Sequence, residues 1–290
     1  ACIGTAQTFT ITINTAPVIN AVADVTVCGG GGVNTIFTGT PGAQYTWTNS
    51  NPAIGLAASG TGNVVFTSAN PANVETGTIT VTPAIGTCQG NPEIFTVTVN
   101  PTPTVVDPPN QTVCSGEQVD VVFNGNGGPA FNWTNSNTAI GLGATGSGNI
   151  GFTAANVAAN TTGNITVTPV ANGCTGAPQN FTLTVTPLPV ATQPADVIVC
   201  GGTNVTVMLA AQPGAAVLSW TNSNPAIGLP ASGTGNIVFS AAGVTTQQTA
   251  LITVTPTLGL CTGLPVTFDI TIDPSPEVNL NPVNLAVCGG

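Results

Sequence analysis

The sequence predicts an all-β protein made of tandem β-sandwich repeats of about 86 residues, arranged as an elongated rod. Three observations lead there. The stretch Trp47-Thr48-Asn49-Ser50-Asn51-Pro52-Ala53-Ile54-Gly55-Leu56 returns as Trp133 to Leu142, with Thr138 for the proline, and again complete as Trp220 to Leu229. The spacings are 86 and 87 residues, and a fixed period of this size marks an array of like domains. Short runs rich in β-branched residues alternate apolar and polar between Gly, Pro, Asn and Ser turns, and no 3.6-residue apolar period interrupts them.

The first copy shows the elements in order. A short strand ends at Cys28, and a glycine turn follows. Val33 to Thr38 reads as the second strand and Gln44 to Thr48, with Trp47, as the third. Asn49-Ser50-Asn51-Pro52 has turn chemistry. Ile54-Gly55-Leu56 then reads as a short strand and Ser59-Gly60-Thr61-Gly62-Asn63 as another turn. Val64 to Thr67, Thr78 to Thr82 and Glu93 to Val99 complete seven runs, the number expected of a sandwich. In the last, Phe95, Val97 and Val99 face one way and Thr96 and Thr98 the other. Threonine suits the outer face, because its branched side chain fits the pleat while its hydroxyl stays wet.

Boundaries fall after each such strand, at Pro101-Thr102-Pro103, Pro187-Leu188-Pro189 and Pro274-Ser275-Pro276, with Ala16-Pro17 as a weaker first junction. Residues 1–16 are read as the last strand of a preceding repeat, 17–102, 103–188 and 189–275 as three repeats, and 276–290 as the start of another. Pro-x-Pro holds the backbone extended and semi-rigid, so each repeat would add roughly 40 Å to the rod.

Composition removes whole classes of function. There is no Lys, Arg or His among 290 residues and the net charge is −10. Nucleic-acid affinity comes from basic side chains on phosphates, so no nucleic-acid partner is expected. Adhesion to anionic lipid fails for the same reason, and no apolar run approaches the roughly 20 residues of a membrane helix. Trypsin-like proteases have no cleavage site. General acid–base chemistry is left with ten carboxylates and one tyrosine. Asp24 and Asp196 recur four residues before a cysteine, but Asn110 and Asn284 hold the same place, which suits a turn or cap and not an acid. No catalytic residue, metal ligand set or cofactor is expected, because calcium loops and closely spaced Cys pairs are missing. Trp47, Trp133 and Trp220 are read as core residues on a central strand, against an exposed platform that would stack on sugar rings.

Eight cysteines at 2, 28, 88, 114, 174, 200, 261 and 288 are separated alternately by 26–27 and 60–61 residues. An even, periodic set without histidine reads as a disulfide framework in an oxidising compartment. The favoured pairing lies within each domain: Cys28–Cys88, Cys114–Cys174 and Cys200–Cys261, with Cys2 and Cys288 paired elsewhere. A 26-residue pairing such as Cys2–Cys28 is a second option. A third joins the first-turn cysteine of one domain to the late-hairpin cysteine of the next, as in Cys28–Cys174.

Taken together, V-C-x-G, W-T-N-S-N-P-A-I-G-L, S-G-T-G-N, T-I-T-V-T-P, C-x-G-x-P and F-T-V-T-V-N-P-T-P resemble the PKD-like repeats of very large Bacteroidota surface proteins. They are most similar to gliding-motility adhesins of the SprB type, exported by type IX secretion. The resemblance covers the whole chain. It implies immunoglobulin-like sandwiches in tandem, a filament on the outer cell surface, and no catalytic residues. The expected role is therefore the shaft of an adhesin filament, with neighbouring repeats as its partners. Other filaments or surface polysaccharide would be engaged by other regions. The alternatives are a polysaccharide-binding module and a static sheath or surface layer.

Overall fold

A computed structural model describes residues 2–276. Cys288 and the segment 277–290, expected to open a further repeat, lie outside the described residues. In the first repeat the strands are β1 (Val25–Cys28), β2 (Gly32–Thr35), β3 (Gln44–Asn49), β4 (Ser59–Thr61), β5 (Val64–Thr67), β6 (Glu75–Ile85), β7 (Cys88–Gln89) and β8 (Glu93–Asn100). One sheet runs β1-β8-β6-β3-β4, with β7 folded back on the end of β6; the other pairs β2 with β5. All pairings are antiparallel except β1 with β8. The other two repeats reproduce this order, and the third adds a short pair, Val190–Ala191 with Ala211–Gln212. The protein is thus a tandem of immunoglobulin-like β-sandwiches.

Alternation sets the core. Phe95, Val97 and Val99 of β8 are buried together with Ile79 and Val81 of β6, and Val33 and Val64 face them from the second sheet. Threonines on the opposite face form cross-strand hydroxyl pairs: Thr76–Thr98 at 3.1 Å, Thr162–Thr184 at 2.9 Å and Thr249–Thr271 at 3.0 Å. Such pairs contribute a few tenths of a kcal/mol each, up to about 1 kcal/mol.

Two local expectations are corrected. Ile54-Gly55-Leu56 is not a strand: Pro52–Ile54 forms a 3₁₀ turn capped by Asn51, whose side chain accepts from Ala53 N–H. Gly55 ends it in the left-handed region at φ 97°, and Ile54 is fully buried. Ser59–Thr61 is not a turn but strand β4, with Gly60 opposite Trp47. A Cβ at Gly60 would meet the indole ring, so glycine there lets the tryptophan lie across the edge strand. The same relation joins Trp133 to Gly146 and Trp220 to Gly233.

Residues 2–16 form no strand either. Phe9, Ile11 and Ile13 alternate as Phe95, Val97 and Val99 do, yet all three are exposed. No neighbouring strand among the described residues takes up their backbone hydrogen bonds.

Candidate functional site: the stapled junctions

The recurring tryptophan motif is structural. Trp47, Trp133 and Trp220 are each 7–8% exposed within the three cores, and so offer no platform for a sugar ring. The following asparagine is also buried. Asn49 donates to the carbonyl of Leu56 at 2.9 Å and of Asn51 at 3.1 Å, and accepts from Asn51 N–H at 3.0 Å. Asn135 and Asn222 make the matching bonds to Leu142 and Leu229. This clamp ties the 3₁₀ turn to the sheet, and it explains why the motif recurs almost unchanged. Sequence reading missed it; the third residue of each W-T-N repeat was the available signal.

The carboxylates are engaged singly. Asp24 accepts from Thr96 N–H at 2.7 Å, as Asn110 does from Thr182 and Asp196 from Asp269. That backbone donor holds the exposed Asp24 carboxyl below the usual carboxylate range. Glu75 accepts from the Asn51 amide, Glu93 from Val22 N–H and Glu117 from Cys114 N–H. Among the described residues no three His, Cys, Asp or Glu side chains cluster as a metal site would need, and no helix is long and apolar enough to cross a membrane.

Chemistry concentrates where one repeat meets the next. Parallel pairing of β1 with β8 sets Cys28 beside Asn100, so the cysteine emerges at the end of the sheet where the chain enters Pro101-Thr102-Pro103. Gly29 N–H donates to the Asn100 carbonyl at 2.8 Å, and Gly30 takes φ 78° to turn the chain back. Thr102 closes the corner, donating its hydroxyl to the Gly29 carbonyl at 2.8 Å and its N–H to Asn70 at 3.0 Å. Ser275 repeats the first of these on Gly201 at 2.8 Å.

The second cysteine of each repeat lies at the other end of the sheet. Cys174 follows a two-residue loop, Asn172 at φ 49° and Gly173 at φ 78°, which matches the twist of the hairpin it closes. The hairpin reaches back across the junction: the Asn100 amide donates to the Asn172 carbonyl at 3.0 Å, and Gly176 packs on the Pro103 carbonyl with no room for a Cβ.

There the structure joins Cys28 to Cys174 and Cys114 to Cys261, with Cα atoms 5.7 and 5.5 Å apart. The expected pairs Cys28–Cys88, Cys114–Cys174 and Cys200–Cys261 are not formed, and the physical reason lies in the register. Cys28 sits level with Asn100, one row beyond the Glu75–Val99 pair, while Cys88 sits level with Ile85. Eleven rows separate them, or about 36 Å at ~3.3 Å per residue. A disulfide needs Cα atoms within about 7 Å. Pairing across the junction, the third option, is the one the sheet permits. Cys2, Cys88 and Cys200 carry free thiols.

The cysteine loops span 146 and 147 residues and interleave, since Cys114 and Cys174 each lie inside the other's loop. In the chain-entropy model each bond is worth about 5 kcal/mol against the unfolded state. Disulfides of this kind belong to an oxidising compartment.

No family model matches the sequence, and no curated protein matches it. Among solved structures, the chain is similar to Sidekick-1 immunoglobulin domains 1–5, with 14% identity and TM-score 0.39 over 90% of this chain and 60% of that one. It is also similar to mouse cadherin-23 EC22-24, with 10% identity and TM-score 0.37 over 90% and 99% of the two chains. The I9–I11 tandem of titin matches with 11% identity and TM-score 0.31 over 89% and 100%. The chain thus spans less than two thirds of the Sidekick-1 fragment.

Proposed function

We propose that this chain is part of the shaft of a long extracellular adhesin filament on a bacterial surface, serving attachment and gliding. Repeats bounded at 17–102, 103–188 and 189–275 would be its structural units. The supporting observation is the pair of staples, Cys28–Cys174 and Cys114–Cys261, placed between repeats instead of within them. A staple inside a domain stabilises that domain; one across a junction fixes the junction and carries tension past it. The resemblance to Bacteroidota gliding adhesins supplies the outer-membrane setting. The sparse negative charge and hydroxyl-rich faces suit a surface that stays hydrated without attracting nucleic acid or anionic lipid.

Gold labelling of intact cells with an antibody to this segment tests the reading. Label strung along thin fibres projecting from the surface is expected. A flat, continuous lattice of label would refute the shaft and favour a sheath.

A further inference from the structure

Two of the free thiols occupy positions that are stapled elsewhere in the chain. Cys88 is the hairpin cysteine of the first repeat, equivalent to Cys174 and Cys261. Cys200 is the first-turn cysteine of the third repeat, level with Asp273 as Cys28 is with Asn100 and Cys114 with Thr186. Each is more open than its stapled equivalents. Cys174 and Cys261 are 1–2% exposed whereas Cys88 is half-buried; Cys28 and Cys114 are half-buried whereas Cys200 is exposed.

We propose that Cys200 and Cys88 are the two halves of one further junction staple. Cys200 takes the hairpin cysteine of a following repeat of this kind, and Cys88 takes the first-turn cysteine of a preceding one. The surfaces for this are present at both ends. The corner that holds Cys28 at the first junction recurs around Cys200, including the Ser275–Gly201 hydrogen bond. The glycine that lets the hairpin sit on the linker recurs as Gly90 against Pro17. The third repeat therefore ends in the face that the first repeat offers to the second, and the first repeat begins with the face that receives it.

Continued in this way, the staples convert the proline linkers into covalent strands. Cys174 to Cys200 is a linker of 26 residues with a disulfide partner at each end, and Cys88 to Cys114 is another. Linkers are joined alternately, so two interleaved strands run along the array and each advances two repeats per linker. Two repeats span roughly 80 Å, and 26 extended residues reach about 90 Å. Such an array is almost inextensible, because the linkers become taut before any sandwich can unfold.

This inference rests on the junction geometry and not on the filament's location, so failure of the gold labelling leaves it standing. The test uses the full chain with Cys2→Ser and Cys288→Ser, at high concentration, with glutathione disulfide as oxidant. Cys200 and Cys88 of two copies each lose a proton and one electron to form the S–S bond, and one glutathione disulfide takes up both to become two glutathiones. The expected product is a ladder of covalent multimers on a non-reducing gel. Peptide mapping should show Cys200–Cys88 links far outnumbering Cys88–Cys88 and Cys200–Cys200. Adding Cys88→Ser or Cys200→Ser, which breaks neither existing staple, removes one half of the link and should leave the chain almost wholly monomeric. Persisting monomer in the chain that keeps both thiols, or the three link types in the statistical 1:2:1 ratio, would overturn the proposal.

Discussion

Stretching the chain by its ends, oxidised and then reduced, reads out the covalent wiring directly. When reduced, each repeat lies fully in the load path. Unfolding one then releases about 86 residues, or roughly 300 Å of contour less the ~40 Å it spanned when folded. Three such events are expected. When oxidised, the shortest covalent route from Cys28 to Cys261 crosses to Cys174, runs back 60 residues to Cys114 and crosses again. Only the body of the second repeat, Cys114 to Cys174, can then become taut. A single event of about 170 Å should appear, being ~210 Å of extended chain less the ~36 Å between those cysteines in the fold. Optical-tweezers traces with and without reductant would measure this on one molecule. Three full-length events under oxidising conditions would refute the wiring. Pairing within each domain would instead lock every body and leave no large event at all.

Three smaller perturbations test the elements that build each repeat. Asn135→Ala should cost the second repeat about 3 kcal/mol in denaturant unfolding, because the Leu142 carbonyl and Asn137 N–H lose their buried partner. Asn135→Asp should recover little of it, since a carboxylate cannot donate to that carbonyl. Gly146→Ala should destabilise by about 2 kcal/mol and shift the fluorescence of Trp133, whose ring occupies the space of the new Cβ. The Asp24 contact should respond to acid in a definite direction. Its pKa is lowered in the folded state, so its contribution is complete above the ordinary value of 3.8 and is lost as pH falls through the folded value. Thermal melts of Asp24→Asn should lose that acid-side slope, because asparagine already makes this bond at Asn110; an unchanged slope would show that Asp24 has no part in it.

Much of the fold is legible in the sequence, since a two-residue alternation such as Phe95-Thr96-Val97-Thr98-Val99 carries its own statement of which side is buried. Strand Glu93–Asn100 follows from such a pattern alone. The misreadings share a physical cause. Ile54 and Leu56 look like a strand because they are apolar and alternate, but the Asn51 cap and Gly55 in the left-handed region fold them into a turn. Ser59-Gly60-Thr61 looks like a turn because it is small and polar. Its glycine is there for the ring of Trp47, a requirement set by a residue on the next strand. The junction chemistry was harder to read. Spacing gives the lengths of cysteine loops but not the end of the sheet from which each cysteine emerges. That depends on the parallel register of β1 on β8, which no local pattern announces.

Staples join repeats to one another, and mapping the disulfides of the unreduced protein checks this bond by bond. Thiols would be capped first and the chain cut with pepsin, because it contains no Lys or Arg for trypsin. Linked peptides carrying Cys28 with Cys174 and Cys114 with Cys261 are the predicted result. Peptides linking Cys28 to Cys88 and Cys200 to Cys261 would contradict it, and the shaft would then be a string of separately locked domains.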